Sequence, residues 1–497
     1  MSSTTPDQQP EPRCPRDLDA WILGSGIASL TSAVLLIQEA HIPPSRIHIL
    51  ETLEKAGEGS VGTGDPANGY DYHAGAMPAL SGIYMEKLLA LVPSKSDSEK
   101  TAFDDLCEFN RSRPHSNTPH TRFLSRKSHA LARIDPKRMG MGLRRPPQPV
   151  YAVFKVGGNF GFDRRHSAAE FRRCVQWFKN GEHELDHIRP LDNGNFNRHE
   201  AIIIPIAQFL ESRGVDIRFR TTVTDIILDP THQFVSSISA AKFNEPEISI
   251  NVKSNDIVIV SVGSVISGAT SGTNTTPPSL EMMEIEKDLD DNWLLWLELS
   301  TKDQKFGNAY NFCTRLTESR RESFTVTLKS PEFFDRFTEL TGDAPGSGIF
   351  VTLKDSSWLL SLSIPKQPMF PDQPEDVQVF WGYAMFPANE GDYVKKPMLE
   401  CSGQEIMTEI LHQLIFPVDS ILSNSVTIPC VVPRMSAAFL PRTSGDRPQV
   451  IPQGMKNMAL IGQFVEIPDE IVGTMDYYVR GSEMAVHRLM GLGHDVK

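Results

Sequence analysis

The stretch Ala20–Gln38 carries no charged residue, and Gly24-Ser25-Gly26-Ile27-Ala28-Ser29 breaks it early. An uncharged run of this length would suffice for a membrane span. The two glycines, coming directly after the short apolar piece Ala20–Leu23, favour a different reading: strand, tight turn, helix to about Ala40, and a second strand at Arg46–Leu50. That is a βαβ unit. In such a unit Gly24 and Gly26 let the backbone approach a pyrophosphate whose charge sits at the helix N-terminus, and the small Ser29 lets helix and strand pack closely. Glu51 ends the second strand, where an acid accepts a hydrogen bond from a ribose hydroxyl. Ser29 stands where a third glycine is usual, so the turn alone is also compatible with one that binds nothing.

The chain of 497 residues has room for two to four domains, and 40% apolar against 22% charged residues supports a large buried core. A net charge of −13 argues against a nucleic-acid partner. Cys14, Cys107, Cys174, Cys313, Cys401 and Cys430 are scattered, with no CxxC, and the fourteen histidines show no metal spacing. Reduced thiols and no metal are expected. Met1–Asp19 is polar and Pro-rich, unlike a secretory leader, so a cytoplasmic location is expected. Ser167 and Glu170 fit a capping box opening a helix. A further helix is expected from Glu200 to Arg213, then strands at Val215–Phe219, Val223–Leu228 and Asp256–Val262. Alternating patterns mark strands at Phe324–Leu328, Gly348–Leu353, Trp358–Ile364 and Val377–Tyr383, and the chain closes on a strand, Met458–Ile461, and a helix, Thr474–Met490. Between Arg111 and Arg145 lie ten basic residues and one acid, Asp135. This island reads as a solvated insertion or as a patch for anionic lipid headgroups or a carboxylate-bearing substrate.

Distant pieces strengthen the nucleotide reading. Gly214–Ile226 looks like the strand pair that contacts an adenine ring in two-dinucleotide-domain flavoproteins, Asp256–Ser264 like their strand ending in a small-residue turn, and Ala459–Phe464 like the strand that meets a helix near the flavin. The cofactor implied is FAD, held by Gly24, Gly26, Ser29, Glu51, Gly59, Ser60, Gly75, Val223, Gly263, Ser264, Gly462, Gln463 and Thr474. The fold expected is α/β: a Rossmann-type FAD domain from discontinuous segments, with a helical insertion and a mixed, β-rich substrate domain. Its parts are a tail (1–18), FAD-binding segments (19–93, 195–270 and 430–497), a basic helical insertion (94–194) and the substrate domain (271–429).

Over Ala20 to Met490 the chain resembles the oleate hydratases, also called fatty acid hydratases or myosin-cross-reactive antigens. The resemblance is carried by AWILGSGIASLTSAV, RIHILE, HSAAEFRR, WGYAMFP, GDYVKKPMLECSGQEI, FLPRTSGDRPQV, NMALIGQFVEI and TMDYYVRGSEMAV. It implies an FAD-dependent, redox-neutral enzyme that adds water to an isolated cis double bond of a long-chain fatty acid, the flavin moving no net electrons. Two stretches depart from the family pattern. Met77, in His73-Ala74-Gly75-Ala76-Met77-Pro78, stands where the family has a water-activating glutamate. Phe196-Asn197-Arg198-His199-Glu200-Ala201 lacks both tyrosines of the family's YNQYES, one of them the proton donor. Hydration of an unactivated alkene needs an acid and a base, and the replacements this chain offers are His199, Glu200 and His73. Expected partners are an unsaturated fatty acid or other apolar alkene, no nucleic acid, a peripheral membrane contact through Arg111–Arg145 and, as an open alternative, a homodimer. The competing functions are a flavin-dependent oxidoreductase or isomerase/cyclase of a lipid-like metabolite, and a non-catalytic flavin- or lipid-binding relative.

Overall fold

The apolar run behind the glycine turn becomes the centre of a parallel sheet. The structure, a computed structural model, describes residues 12–57, 62–72, 82–95, 97–112, 114, 123–127, 130–134, 162, 165–180, 196–242, 244–281, 289–347, 350–468 and 470–493. Strand β1 (Ala20–Leu23) lies between β2 (Ile47–Leu50) and β11 (Ile257–Ser261). Beyond them β7 (Asp216–Arg218) and β18 (Met458–Ile461) form the two edges, giving the order β18-β11-β1-β2-β7, all parallel. Helix α1 (Ile27–Gln38) crosses from β1 to β2 and is buried from Ala28 to Ile37. It is apolar on nearly every side because the sheet and helix α9 (Met475–Met490) both cover it. The two helices approach closely enough for the Ser482 hydroxyl to donate to the Ala28 carbonyl at 2.7 Å. The uncharged run Ala20–Gln38 is thus a strand and a three-turn helix. Among the described residues no helix is long and apolar enough to cross a membrane.

The segment expected as an adenine-contacting strand pair is split between two sheets. β7 joins the parallel sheet, and β8 (Thr221–Leu228) pairs with β9 (Val235–Lys242), which pairs with β10 (Ile248–Asn251). Arg220, with φ 53°, turns the chain between them, and its N–H donates to the Leu53 carbonyl. Helix α5 (Ile204–Arg213), preceding β7, and α6 (Asp291–Lys302), packed on β8, flank this region.

An eight-stranded sheet forms the other half, in the order β12-β17-β13-β16-β15-β14-β5-β6. Its strands are β12 (Thr270–Ser271), β17 (Ser425–Val432), β13 (Arg321–Leu328), β16 (Gln378–Ala384), β15 (Leu360–Ser363), β14 (Val351–Leu353), β5 (Phe123–Lys127) and β6 (Ala130–Ile134). β13 is buried along its whole length. Phe324, Val326 and Leu328 point to one face, under α7 (Glu332–Thr341) and α8 (Gly403–Leu414). On the opposite face the hairpin of β3 (Thr63–Asp65) and β4 (Gly69–Asp71) lies across the sheet. There the N–H groups of Tyr70 and Tyr72 donate to the hydroxyls of Thr327 and Thr325 at 2.9 and 3.0 Å.

The insertion expected as helical is mixed. It holds α3 (Ala102–Arg111) and α4 (Ala168–Asn180), but the hairpin β5–β6 extends the large sheet through a parallel pairing with β14. Two cations of the basic island are consequently engaged inside the chain. Arg126 donates to Tyr393 and to the His412 carbonyl, and Arg133 to the Leu340 carbonyl. Helix α2 (Ile83–Ala90) packs on α9 beside the parallel sheet.

Candidate functional site

The turn after β1 leaves a helix end open to a ligand. Gly24 adopts φ 96°, and its N–H donates to the Leu50 carbonyl at 2.8 Å, which draws the turn down onto β2. Gly26 is the N-cap of α1, and no side chain caps the helix. A Cβ on Gly26 would meet nothing within 4 Å. The Ser29 hydroxyl is fully buried with no hydrogen-bond partner. Uncapped helical N–H groups, a buried hydroxyl lacking a partner and open space at Gly26 together suit an oxygen-rich anion. Gly462, with φ 106°, ends β18 against Val262, and Gly263 turns the chain after β11, where an added Cβ would lie 2.5 Å from the Phe464 ring. Ser264 follows, its carbonyl accepting from the Trp293 indole at 2.7 Å. Gln463 and Thr474 are buried; Thr474 caps α9 by accepting the Tyr477 N–H at 3.2 Å. Val223 is buried on β8 beside a register shift.

Glu51 lies against this turn, and its carboxylate already has three donors. One oxygen accepts from the N–H and hydroxyl of Ser25, the other from the Leu53 N–H at 2.9 Å. A carboxylate offers about four lone-pair sites, so acceptor capacity for one ribose hydroxyl remains. The Ser25 hydroxyl also accepts the Gly57 N–H at 3.1 Å. Ser25, absent from the expected set, therefore ties the glycine turn to the loop after β2.

That loop reaches His199. The helix expected from Glu200 begins as a π turn, His199–Ile203, which passes into α5. π turns are often found at functional sites. Asn197 anchors it: its N–H and side-chain amide both donate to the Met369 carbonyl, at 2.8 and 3.1 Å, and its side-chain oxygen accepts the His199 N–H at 3.0 Å. Phe196, just before, is held at φ 69°, a conformation uncommon for a non-glycine residue. The buried His199 ring places Nε2 3.4 Å from the Ala56 carbonyl and Nδ1 3.9 Å from the Glu200 carboxylate. The structure thus brings His199 and Glu200 together and sets them beside the loop that Ser25 holds. It also supplies a group missed in the sequence: the Tyr72 phenol accepts the Arg198 N–H at 3.4 Å, two residues beyond Phe196. Only the hairpin's crossing of the sheet delivers it. His73, Met77, Gly59, Ser60 and Gly75 lie outside the described residues.

The expected capping box at Ser167 is half formed. The Ser167 hydroxyl accepts the Glu170 N–H at 3.3 Å, but its own N–H donates to the Phe439 carbonyl. The Glu170 carboxylate meets three guanidinium groups instead, those of Arg173, Arg442 and Arg447 at 3.4, 3.0 and 3.3 Å. Arg173 and Arg442 also pair with Glu466. HSAAEFRR, FLPRTSGDRPQV and NMALIGQFVEI, far apart in the chain, meet in this buried ion network.

Comparison with known proteins adds the family. The model of the MCRA family matches residues 17–147 and 153–487. An oleate hydratase of Streptococcus pyogenes serotype M49 is 29% identical, over 96% of this chain and 87% of its own. A linoleate hydratase of Lactiplantibacillus plantarum is 26% identical, over 68% of this chain and 62% of its own. Among solved structures, an oxidoreductase of Methanosarcina mazei superposes with a TM-score of 0.51 at 11% identity, covering 94% of this chain and 99% of that one, a likeness of fold.

Proposed function

Because the chain belongs to the MCRA family, we propose that it is an FAD-dependent, redox-neutral hydratase that adds water across a cis double bond of an unsaturated fatty acid or similar apolar alkene. The observation that carries this reading is the near full-length similarity to an oleate hydratase, joined to an uncapped α1 N-terminus with Glu51 beside it. Gly24, Gly26, Ser29 and Glu51 would hold the adenosine and pyrophosphate, and Gly462, Gln463 and the α9 N-terminus at Thr474 would face the rest of the cofactor. Once bound, the flavin would support the shape and electrostatics of the site without net electron transfer.

Hydration breaks one π bond: an acid's proton adds to one carbon, a water oxygen bonds to the other, and one of the water's two protons passes to a base, from which it returns to the acid before the next turnover. In the absence of the family's tyrosine at Phe196, we assign the proton donor to Tyr72, whose phenol stands at the same turn. His199 takes the role of base. The Ala56 carbonyl favours the tautomer with its proton on Nε2, which leaves Nδ1 to accept a proton from water. Glu200, 3.9 Å from Nδ1, stabilises the imidazolium so formed. His73 is the reserve candidate, since it follows Tyr72 directly.

Incubation of the reduced, flavin-loaded protein with a panel of unsaturated fatty acids in H₂¹⁸O, read by mass spectrometry, tests this. Hydroxy acid carrying the label is the expected product. Tyr72→Phe and His199→Gln should each lower its formation by ~10²-fold or more with flavin still bound. Substrate loss without label, or anaerobic bleaching of oxidised flavin by substrate, would replace hydration with isomerisation or redox chemistry.

A further inference from the structure

The face of the large sheet beneath the β3–β4 hairpin ends in hydrogen-bond donors. Arg321, Ser323, Thr325 and Thr327 of β13 alternate onto this face, and Tyr383 and Trp381 of β16 stand opposite Ser323 and Thr325. Thr325 and Thr327 have their acceptor roles filled by the hairpin. Ser323 is 3% exposed and Trp381 1%, yet the Ser323 hydroxyl and the Trp381 indole N–H have no hydrogen-bond partner. Unpartnered buried donors are rare in folded proteins, and each asks for an acceptor. Beside them the buried Arg321 guanidinium lies over the Phe439 ring, 4.2 Å from its centroid, and 3.2 Å from the His166 ring. A guanidinium two residues along the strand from an unsatisfied hydroxyl, with a second unsatisfied donor on the adjoining strand, matches a group that only accepts: a carboxylate. Away from Arg321 the same face is aromatic, with Phe350 packed edge-on to Tyr383 at 5.4 Å and against Trp381 at 5.9 Å.

We propose that Arg321 and Ser323 receive the carboxylate of the fatty-acid substrate, while the aromatic face of β16 carries the start of its apolar chain. This rests on the fatty-acid reading above and adds the end by which the substrate is held. Glu322, which points to the other face of β13, takes no part.

Fluorescence titration of the full chain with cis-parinaric acid, a polyunsaturated fatty acid, and with its methyl ester tests the assignment without turnover. The wild-type protein should bind the acid at least tenfold more tightly than the ester at neutral pH. Arg321→Met should abolish that preference by weakening only the acid, and Arg321→Lys should retain part of it. Ser323→Ala, which removes a single oxygen, should weaken the acid several-fold and leave the ester unchanged, and it decides the matter should Arg321→Met fail to fold. Equal wild-type affinity for acid and ester, or an acid preference that survives both Arg321→Met and Ser323→Ala, would overturn the carboxylate subsite while leaving a lipid-binding protein. Binding of neither probe would overturn the fatty-acid reading with it.

Discussion

Two buried carboxylates show how placement decides what a residue does. Glu51 is buried with donors on both oxygens, and with room for one more it suits a ribose. Glu51→Arg would remove the acceptor, strand the Ser25 and Leu53 N–H groups, and put a long cation where the proposed adenosine would lie. Copurifying flavin, read from its visible absorbance, should be lost; a stoichiometric amount in that variant would refute the nucleotide site. Glu322 is the opposite case. It is fully buried on β13 between Ala384 and Val431, neither oxygen has a hydrogen-bond partner, and desolvation holds its carboxyl well above the ordinary carboxylate range. The folded state therefore keeps a proton that the unfolded chain releases. Below the ordinary carboxylate range both states are protonated and this linkage adds no penalty. As pH rises through that range towards the raised folded value, stability falls by up to ~10-fold in the folding equilibrium constant per pH unit. Glu322→Met, similar in length and apolar, should stabilise the protein by about 1–3 kcal/mol or more at neutral pH, with a smaller gain near pH 4. Urea unfolding at the two pH values measures the difference, and a gain independent of pH would show that Glu322 is ionised in the fold.

At the scale of elements, side chains from distant segments hold helix starts in place. Asp476, in the first turn of α9, accepts the N–H groups of Gly82 and Met85 at 3.0 and 2.9 Å and so caps α2 from a distance. A Cβ on Gly82 would lie 2.1 Å from an Asp476 oxygen. Gly82→Ala should push the carboxylate off the helix end and cost about 1–2 kcal/mol, the worth of an N-cap, seen as a lower thermal midpoint. Asp476→Ala should lose a similar amount, and the double variant little more than either, because both remove one contact. Additive losses would mean that the two residues act separately. The π turn at His199–Ile203 follows the same logic, since Asn197 holds it to the Met369 carbonyl from outside the helix.

For the whole molecule, the ion network of Glu170, Glu466, Arg173, Arg442 and Arg447 joins α4, the loop before β18 and the loop after it. Three guanidinium groups face two carboxylates, so the two kinds of truncation are unequal. Glu170→Gln leaves three cations around one anion and should cost about 3–5 kcal/mol, the usual penalty for an uncompensated buried charge. Arg447→Met leaves two of each and should cost clearly less. Urea midpoints of the two variants give the order directly, and a larger loss for Arg447→Met would mean that its packing, and its bond to the Ala437 carbonyl, outweigh charge balance.

The sequence by itself determined the βαβ unit, the glycine turn with Glu51 after it, the closing strand Met458–Ile461 and the family. The structural elements depend on residues close together in the chain, where apolar periodicity and glycine freedom act locally, and the family is read from short motifs that each stand in one stretch of sequence. The tertiary structure alone decided that β7 and β8 part into different sheets, that Glu170 abandons its capping role for three arginines, and that β5 and β6 extend a sheet within a segment whose composition suggests an insertion. It also decided that the Tyr72 phenol reaches the Arg198 N–H and that Trp381 of the neighbouring strand shares a face with Arg321 and Ser323. Most of these rest on contacts between residues tens to hundreds of positions apart. They are settled by which buried polar groups can find partners once the sheets have packed, a condition that local propensity does not encode.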